Sequence, residues 1–518
     1  VIQPLARDRR TLLWLIGLLL LPLAGLGHVP LFDLDEGAFT ASTTEMFLRH
    51  DFLSTWLMGV PRYDKPVLSY WLQAGSVALF GSPEWAFRLP SALAASAWIG
   101  LTFAFARRVA AATRTPAAAN EFALLAALLV ATTLGPGIIQ RAATADAWLN
   151  LWLVAAAYAN WLWLCERQAR WQYLGFAAMA LGFLTKGPVA VVVPAGALGL
   201  YLLSQRRLSE FWRWAFNWRA IALFLLIAAP WFVVQAWVEG PGFLLNFFFR
   251  HNLGRYASAM EGHRGQVWFY LPVVLLSLLP HTGLLLRALR APRALWQDDL
   301  SRYGLLWFAL VLVIFSTAGT KLPHYIYYGY GGLWLVLAGQ LDTRCSRHWV
   351  LWPALLLLAL MALAPGLVAA RVPAMKPDEQ RLLSGLAESF GRGYYLALGA
   401  LLLAGFAALL RWRRPLFQLA YGTGVACSLA VMLLLAPAVG EVQQGPIRAA
   451  GLLAATRTEP LVMFGLNKPS FQTYAGRAVE RRTPVAGDLA LVREARLAEL
   501  PGAEVIFRQR SYVLALMP

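Results

Sequence analysis

Residues 11–37 read Thr11-Leu12-Leu13-Trp14-Leu15-Ile16-Gly17-Leu18-Leu19-Leu20-Leu21-Pro22-Leu23-Ala24-Gly25-Leu26-Gly27-His28-Val29-Pro30-Leu31-Phe32-Asp33-Leu34-Asp35-Glu36-Gly37. The stretch 11–29 carries no Asp, Glu, Lys or Arg, and about 20 mostly apolar residues suffice to cross a bilayer as a helix. Three carboxylates follow where the chain leaves the apolar stretch. The whole chain repeats the first half of this pattern. Of 518 residues, 59% are apolar and 14% charged, against roughly 45–50% and about 25% in soluble domains. A soluble single-domain fold is excluded. With 42 glycines and 29 prolines the chain is neither fibrous nor disordered, and 22 tryptophans and 17 tyrosines suit two interfacial aromatic belts.

The expected fold is mainly helical and polytopic. Candidate spans lie near 11–29, 90–110, 121–139, 148–165, 171–185, 188–204, 218–238, 268–287, 303–319, 324–341, 349–370, 393–411 and 416–437, which makes thirteen. The fifth and sixth are parted only by Thr185-Lys186-Gly187-Pro188. The positive-inside rule tests this count. With the amino terminus cytoplasmic, Arg7/Arg9/Arg10, Arg107/Arg108/Arg114, Arg167/Arg170, Arg206/Arg207/Arg213, Arg287/Arg290/Arg293, Arg344/Arg347 and Arg411/Arg413/Arg414 all fall on one side. An error of one span would scatter them. The net charge of +18 is therefore mostly topology, and nucleic acid is not an expected partner. The start of the chain lacks a small-residue cleavage site after its apolar run, so residues 1–29 are expected to be a retained first helix.

Three segments are too polar to span and all fall on the outer face: 30–89, 239–267 and 438–518. The reading is a membrane domain over 1–437, with loops 30–89 and 239–267 forming its active side, and a small α/β domain over 438–518. In the latter, Leu461–Phe464, Glu504–Phe507 and Ser511–Leu516 are apolar stretches and Leu489–Leu500 is helix-like. Cys165, Cys345 and Cys427 have no zinc or redox spacing, and no disulfide is expected outside.

Carboxylates at a membrane exit are costly unless they face water or a partner. Asp33 or Asp35 can cap a helix running through Phe39 and Met46, but a cap does not account for Asp33, Asp35 and Glu36 together. Further on, Arg62-Tyr63-Asp64-Lys65-Pro66 precedes Val67–Phe80, too short to span and suited to an interfacial helix. A lysine there could simply snorkel. Lys186, Arg250, Arg255 and Lys321, however, are also cations on the face where the topological bias disfavours them, and they point to an anion, with lipid phosphate the available one. In Lys321-Leu322-Pro323-His324-Tyr325-Ile326-Tyr327-Tyr328 the tyrosines serve equally as belt residues or as donors to phosphate. There is no Walker loop, dinucleotide glycine pattern or HExxH.

Asp33-x-Asp35-Glu36, then Tyr63-Asp64-Lys65-Pro66, then Lys321-Leu322-Pro323-x-Tyr325 resemble the lipid A aminoarabinose transferases, C-type glycosyltransferases related to protein O-mannosyltransferases. The resemblance covers essentially the whole chain. It implies inverting transfer of 4-amino-4-deoxy-L-arabinose from undecaprenyl phosphate to a lipid A phosphate at the periplasmic face of the bacterial inner membrane. This lowers lipopolysaccharide negative charge and so gives resistance to cationic peptides such as polymyxin. By position, Asp35 matches the acidic catalytic residue. Lys65, Arg250, Tyr325 and Lys186 match the surroundings of the donor phosphate. Asp33, Glu36, Tyr63, Asp64, Asp146 and Lys321 are secondary candidates. No cofactor or metal is required, although His251, His263, Asp64 and Glu84 could hold a divalent ion incidentally. The competing readings are a sugar transferase acting on protein or another glycan, and a lipid flippase. Against the flippase, no repeated halves are visible, and the polar residues gather at one face.

Overall fold

The computed structural model describes residues 8–248, 254, 265–341 and 345–518. Arg7, Arg250, Arg255, Arg344, His251 and His263 lie outside the described residues. Every one of the thirteen expected spans is helical over most of its length. Six helices among the described residues are long and apolar enough to cross a membrane on length and composition alone, from Glu84–Ala110 to Leu416–Gln443. The other passes are shorter, broken or more polar. Val267–Ser277 and Thr282–Ala288 form one pair bent by 118°, and the tenth span opens as a tight turn, Pro323–Gly329, before Tyr330–Ala338.

The arginine clusters do meet at one end of the bundle. Asn120 donates to Asp8 at 3.0 Å and accepts from Arg107 at 2.8 Å. Arg108 pairs with Glu166 at 2.7 Å and Arg167 with Glu210 at 2.5 Å. Gln205 reaches Asp299 at 2.9 Å, Arg287 donates to the carbonyl of Gln340, and Arg347 to that of Trp412 at 3.3 Å. Loops separated by two passes each time are thus neighbours. The bent pair runs from Tyr270, whose hydroxyl donates to the Leu322 carbonyl at the opposite end, to Arg287 at the arginine-rich end. It therefore counts as a pass. A reporter active only in the periplasm is expected to give signal when fused after Pro518 and none after Arg114. Activity at the second position would overturn the thirteen-pass arrangement.

Close backbone approach sets the helix spacing next to the site. A Cβ on Gly304 would lie 2.4 Å from the Gly332 carbonyl oxygen, so Asp299–Thr317 and Tyr330–Ala338 touch main chain to main chain, a small-residue packing typical of membrane helices. Trp307, fully buried, donates its indole N–H to the Tyr328 carbonyl at 2.9 Å. Tyr158 donates to the Gly331 carbonyl at 3.1 Å. The first bond holds the 323–329 turn and the second the helix that follows it.

The carboxyl-terminal region carries a five-stranded sheet. Leu461–Phe464 lies parallel to both Val479–Arg481 and Leu489–Arg493; Tyr512–Leu516 runs antiparallel to Leu489–Arg493, with Glu504–Gln509 at the edge. The helix-like reading of Leu489–Leu500 is corrected here. Leu489–Arg493 is the central strand and Glu494–Glu499 a short 3-10 turn. Leu489 to Val492 are buried on both faces, and a short, continuously apolar run has no periodicity to separate strand from helix. The last membrane helix also continues to Gln443, past the expected boundary at 437.

Candidate active site

Two locks place the acidic segment. The helix Asp35–Arg49 starts at the first outer carboxylates. Glu36, buried, accepts from Arg88 through both oxygens at 2.8 Å, and also from the backbone N–H of Phe32 at 2.9 Å and of Ala143 at 2.7 Å. Arg88 spends its remaining donors on the carbonyls of Leu26, Val29 and Pro30. Desolvation raises the Glu36 carboxyl, but the Arg88 guanidinium together with the backbone N–H groups of Phe32 and Ala143 holds it below its usual range. Asp33 turns instead to Ser470, accepting from its N–H at 2.9 Å and its hydroxyl at 2.7 Å. Burial raises the Asp33 carboxyl to about 6. Asp35, between them, is exposed.

The following loop brings cations to the same place. Arg62 forks onto Asp64, at 2.7 and 3.2 Å, and donates to the Ala38 carbonyl at 2.6 Å. This fastens the loop to the Asp35–Arg49 helix. Arg62 also lies within electrostatic reach of Asp35. Lys65 folds back on Asp64, at 3.0 Å from its carbonyl and 3.5 Å from its carboxylate.

A second pair comes from three passes. Asp146 opens the helix Asp146–Glu166, and Lys186 closes Ala169–Lys186. The Lys186 ammonium donates to Asp146 at 2.6 Å and to the Tyr328 hydroxyl at 2.8 Å, while Tyr328 donates to the same Asp146 oxygen at 2.8 Å. Lys186 also lies 5.5 Å from the ring centroids of both Tyr325 and Tyr328. His324 Nε2 is 3.8 Å from Asp146 and within electrostatic reach of Lys186, Asp35 and Lys65. One polar constellation thus holds Asp35, Lys65, Asp146, Lys186, His324 and Tyr328, with Tyr325 at its edge.

Several expected residues lie elsewhere. Lys321, a secondary candidate, caps a helix: its ammonium donates to the carbonyls of Ser316 and Ala318 at 2.8 Å, closing the end of Asp299–Thr317. Glu36 and Asp33 are consumed by their locks. Tyr63 packs edge-on against Phe243, with centroids 5.6 Å apart, in an aromatic cluster with Trp231 and Phe232. Glu84 pairs with Arg448 at 2.8 Å. Among the described residues, no three His, Cys, Asp or Glu side chains converge as metal ligands.

Arg62, Arg88, His324 and Tyr328 were not among the expected site or supporting residues. Arg62 directly precedes the Tyr63-Asp64-Lys65 segment, and an arginine in an apolar helix is a signal in itself; both were visible. His324 and Tyr328 stand in a quoted segment, but only tertiary structure shows which of its side chains face Asp146.

Residues 64–234 match the family described as dolichyl-phosphate-mannose-protein mannosyltransferase. The crystal structure of ArnT from Cupriavidus metallidurans bound to undecaprenyl phosphate shares the fold, with a TM-score of 0.78, 22% identity and 97% of each chain covered. Fold and polar face together define a multi-pass membrane protein of the C-type glycosyltransferase fold. The undecaprenyl phosphate-alpha-4-amino-4-deoxy-L-arabinose arabinosyl transferase of Pseudomonas aeruginosa (strain UCBPP-PA14) is 31% identical over 428 residues, 80% of this chain and 73% of that one. The chain belongs to this arabinosyl transferase family. Against the relatives from Aeromonas salmonicida (strain A449) and Edwardsiella ictaluri (strain 93-146), at 33% and 30% identity, the matched region spans 62% and 61% of this chain and 58% and 57% of theirs.

Proposed function

We propose that the protein is an inverting glycosyltransferase that moves 4-amino-4-deoxy-L-arabinose from undecaprenyl phosphate to lipid A phosphate, working at the periplasmic face of the bacterial inner membrane. The observation that carries this reading is the gathering of Asp35 with Lys65, Lys186 and His324 at the end of the bundle opposite the arginine clusters. In the reaction, the bond from the sugar C1 to the donor phosphate oxygen breaks and its electron pair leaves with undecaprenyl phosphate. A new bond from C1 to an acceptor oxygen forms on the other side. Charge grows on the departing phosphate, so fixed cations and hydroxyl donors beside it lower the barrier. Lys65 and Lys186 are the cations and Tyr325 a hydroxyl donor; Arg250, outside the described residues, is the further cation that the family resemblance implies.

A lipid A phosphate is already ionised and needs no base. With that acceptor, Asp35 serves to orient the ammonium of the amino sugar. A hydroxyl acceptor would need a general base, and Asp35 would then take its proton. The match of residues 64–234 to a protein mannosyltransferase family keeps the hydroxyl acceptor as the second reading. In either case the residues named act without a metal or other cofactor. The product carries an added ammonium, which lowers the negative charge of lipid A and with it attraction for cationic peptides.

The test is direct. Purified protein is given the undecaprenyl-phosphate-linked amino sugar with lipid A present, absent, or replaced by a serine-containing peptide. Consumption only with lipid A supports the first reading; consumption only with peptide supports the second. Lys65→Ala is expected to lose a charge-assisted bond of about 1.5–3 kcal/mol, which is roughly one to two orders of magnitude in turnover, with the fold intact by thermal melting. Normal turnover in a folded variant would assign Lys65 to the loop alone.

A further inference from the structure

A run of polar contacts joins the carboxyl-terminal region to the start of the Asp35–Arg49 helix, and the transfer chemistry does not use it. Ser470–Ala475 is a short helix leading on from the first strand of the sheet. Ser470 gives both its N–H and its hydroxyl to the two oxygens of Asp33. One turn further on, the hydroxyls of Thr473 and Thr40 are 2.9 Å apart, and Tyr474 accepts the N–H of Leu31 at 2.7 Å. Contacts therefore fall on both sides of Asp35 in the chain. Gly37 makes the arrangement possible: a Cβ there would stand 2.0 Å from the Asp33 carboxylate and 2.8 Å from the Ser470 nitrogen. Any larger residue would push Asp33 off Ser470.

Asp35 itself is exposed, with Arg62 and His324 within electrostatic reach. Its position is inherited from its neighbours. On one flank Glu36 is fixed by Arg88 and by the N–H of Ala143, both within the membrane domain. On the other flank Asp33 is held from the carboxyl-terminal side by Ser470, with the Gln444 amide also donating to its carboxylate and accepting its N–H, each at 3.2 Å. A site group needs placement to within about 0.5 Å, and a misplacement of about 1 Å can cost 100-fold.

We propose that Asp33 and Ser470 are positioning residues, and that the carboxyl-terminal region serves as a buttress that sets the Asp35 carboxylate for transfer. This rests on the reading of Asp35 as the site acid. Asp33 and Ser470 are bonded to each other, so the buttress acts through the placement of Asp35.

The experiment uses the full chain in lipid nanodiscs, with Ser470→Ala, Ser470→Thr and Asp33→Asn. Three readouts are taken: kcat and KM for the undecaprenyl-phosphate-linked amino sugar, hydrogen–deuterium exchange over residues 31–40, and the thermal midpoint. Ser470→Ala is expected to lower kcat about tenfold, as fits loss of one hydrogen bond to a charged group, with the midpoint unchanged and faster exchange over 31–40. Ser470→Thr keeps both donors and is expected to restore turnover, and Asp33→Asn to match or exceed the Ser470→Ala loss. Wild-type kcat in Ser470→Ala overturns the proposal, as does a loss that threonine does not recover. If the wild-type protein transfers no amino sugar, the functional reading fails on its own. Exchange then decides the buttress, and unchanged exchange over 31–40 in both Ser470→Ala and Asp33→Asn overturns it.

Discussion

Asp35→Asn is expected to cut transfer more than any other single substitution in this protein, and the pattern of the loss identifies the acceptor. Asparagine keeps the size of the side chain and removes its charge. If Asp35 takes a proton from a hydroxyl acceptor, kcat falls by about 10²–10⁴ while the lipid-linked donor binds as before. If the acceptor is an already ionised phosphate, the lost function is the pairing of a carboxylate with the sugar ammonium. A charge-assisted hydrogen bond of about 1.5–3 kcal/mol then disappears, and donor binding weakens together with turnover. The measurements are kcat with lipid A and with a hydroxyl-bearing peptide, and donor affinity by isothermal titration. Wild-type rates in the variant would remove Asp35 from the site. Glu36 cannot replace it without giving up Arg88.

Lys186→Met is expected to have the next largest effect. The Lys186 side chain is 11% exposed and that of Asp146 8%, so the methionine leaves a nearly buried carboxylate beside Tyr328 without its main cation. Breaking such a pair from one side costs about 3–5 kcal/mol, visible as a lower thermal midpoint in detergent. The double variant Lys186→Met/Asp146→Leu separates structure from chemistry, because replacing both partners by apolar groups restores stability. Recovery of the midpoint with turnover still lost places Lys186 at the donor phosphate. Recovery of both makes the pair an internal tie between Asp146–Glu166 and Ala169–Lys186.

The arrangement also shows why the site lies at the ends of helices. Asp146, Lys186 and the 323–329 turn each stand where a pass begins or ends, and irregular backbone is tolerated at that depth only where protein or a polar cavity satisfies it. Trp307 and Tyr158 supply that satisfaction from inside the bundle. The side chains of the polar constellation are thereby backed by a buried aromatic layer.

Much of this was open to reading in one dimension. Hydrophobic runs of bilayer length and the one-sided arginine clusters determined the passes and their alternation, because the cost of exposing backbone or charge to lipid is local to each segment. The acids and lysines of 30–89 announced a site by standing where lipid-facing charge is expensive. The sequence could not say which of them serve it. Asp33, Asp35 and Glu36 are near-identical in composition and differ only in what folds against them: Ser470 from the far end of the chain, an exposed position within reach of Arg62 and His324, and Arg88. Lys321 and Lys186 are both lone lysines at a helix end. One meets three carbonyls of the preceding helix, the other a carboxylate that opens a different pass. The run Leu489–Val492 became a strand because two neighbours were available to pair with it. Partners distant in sequence make these choices, and hydrogen bonding and Coulomb attraction act over a few ångströms of space, so only the tertiary structure could decide them.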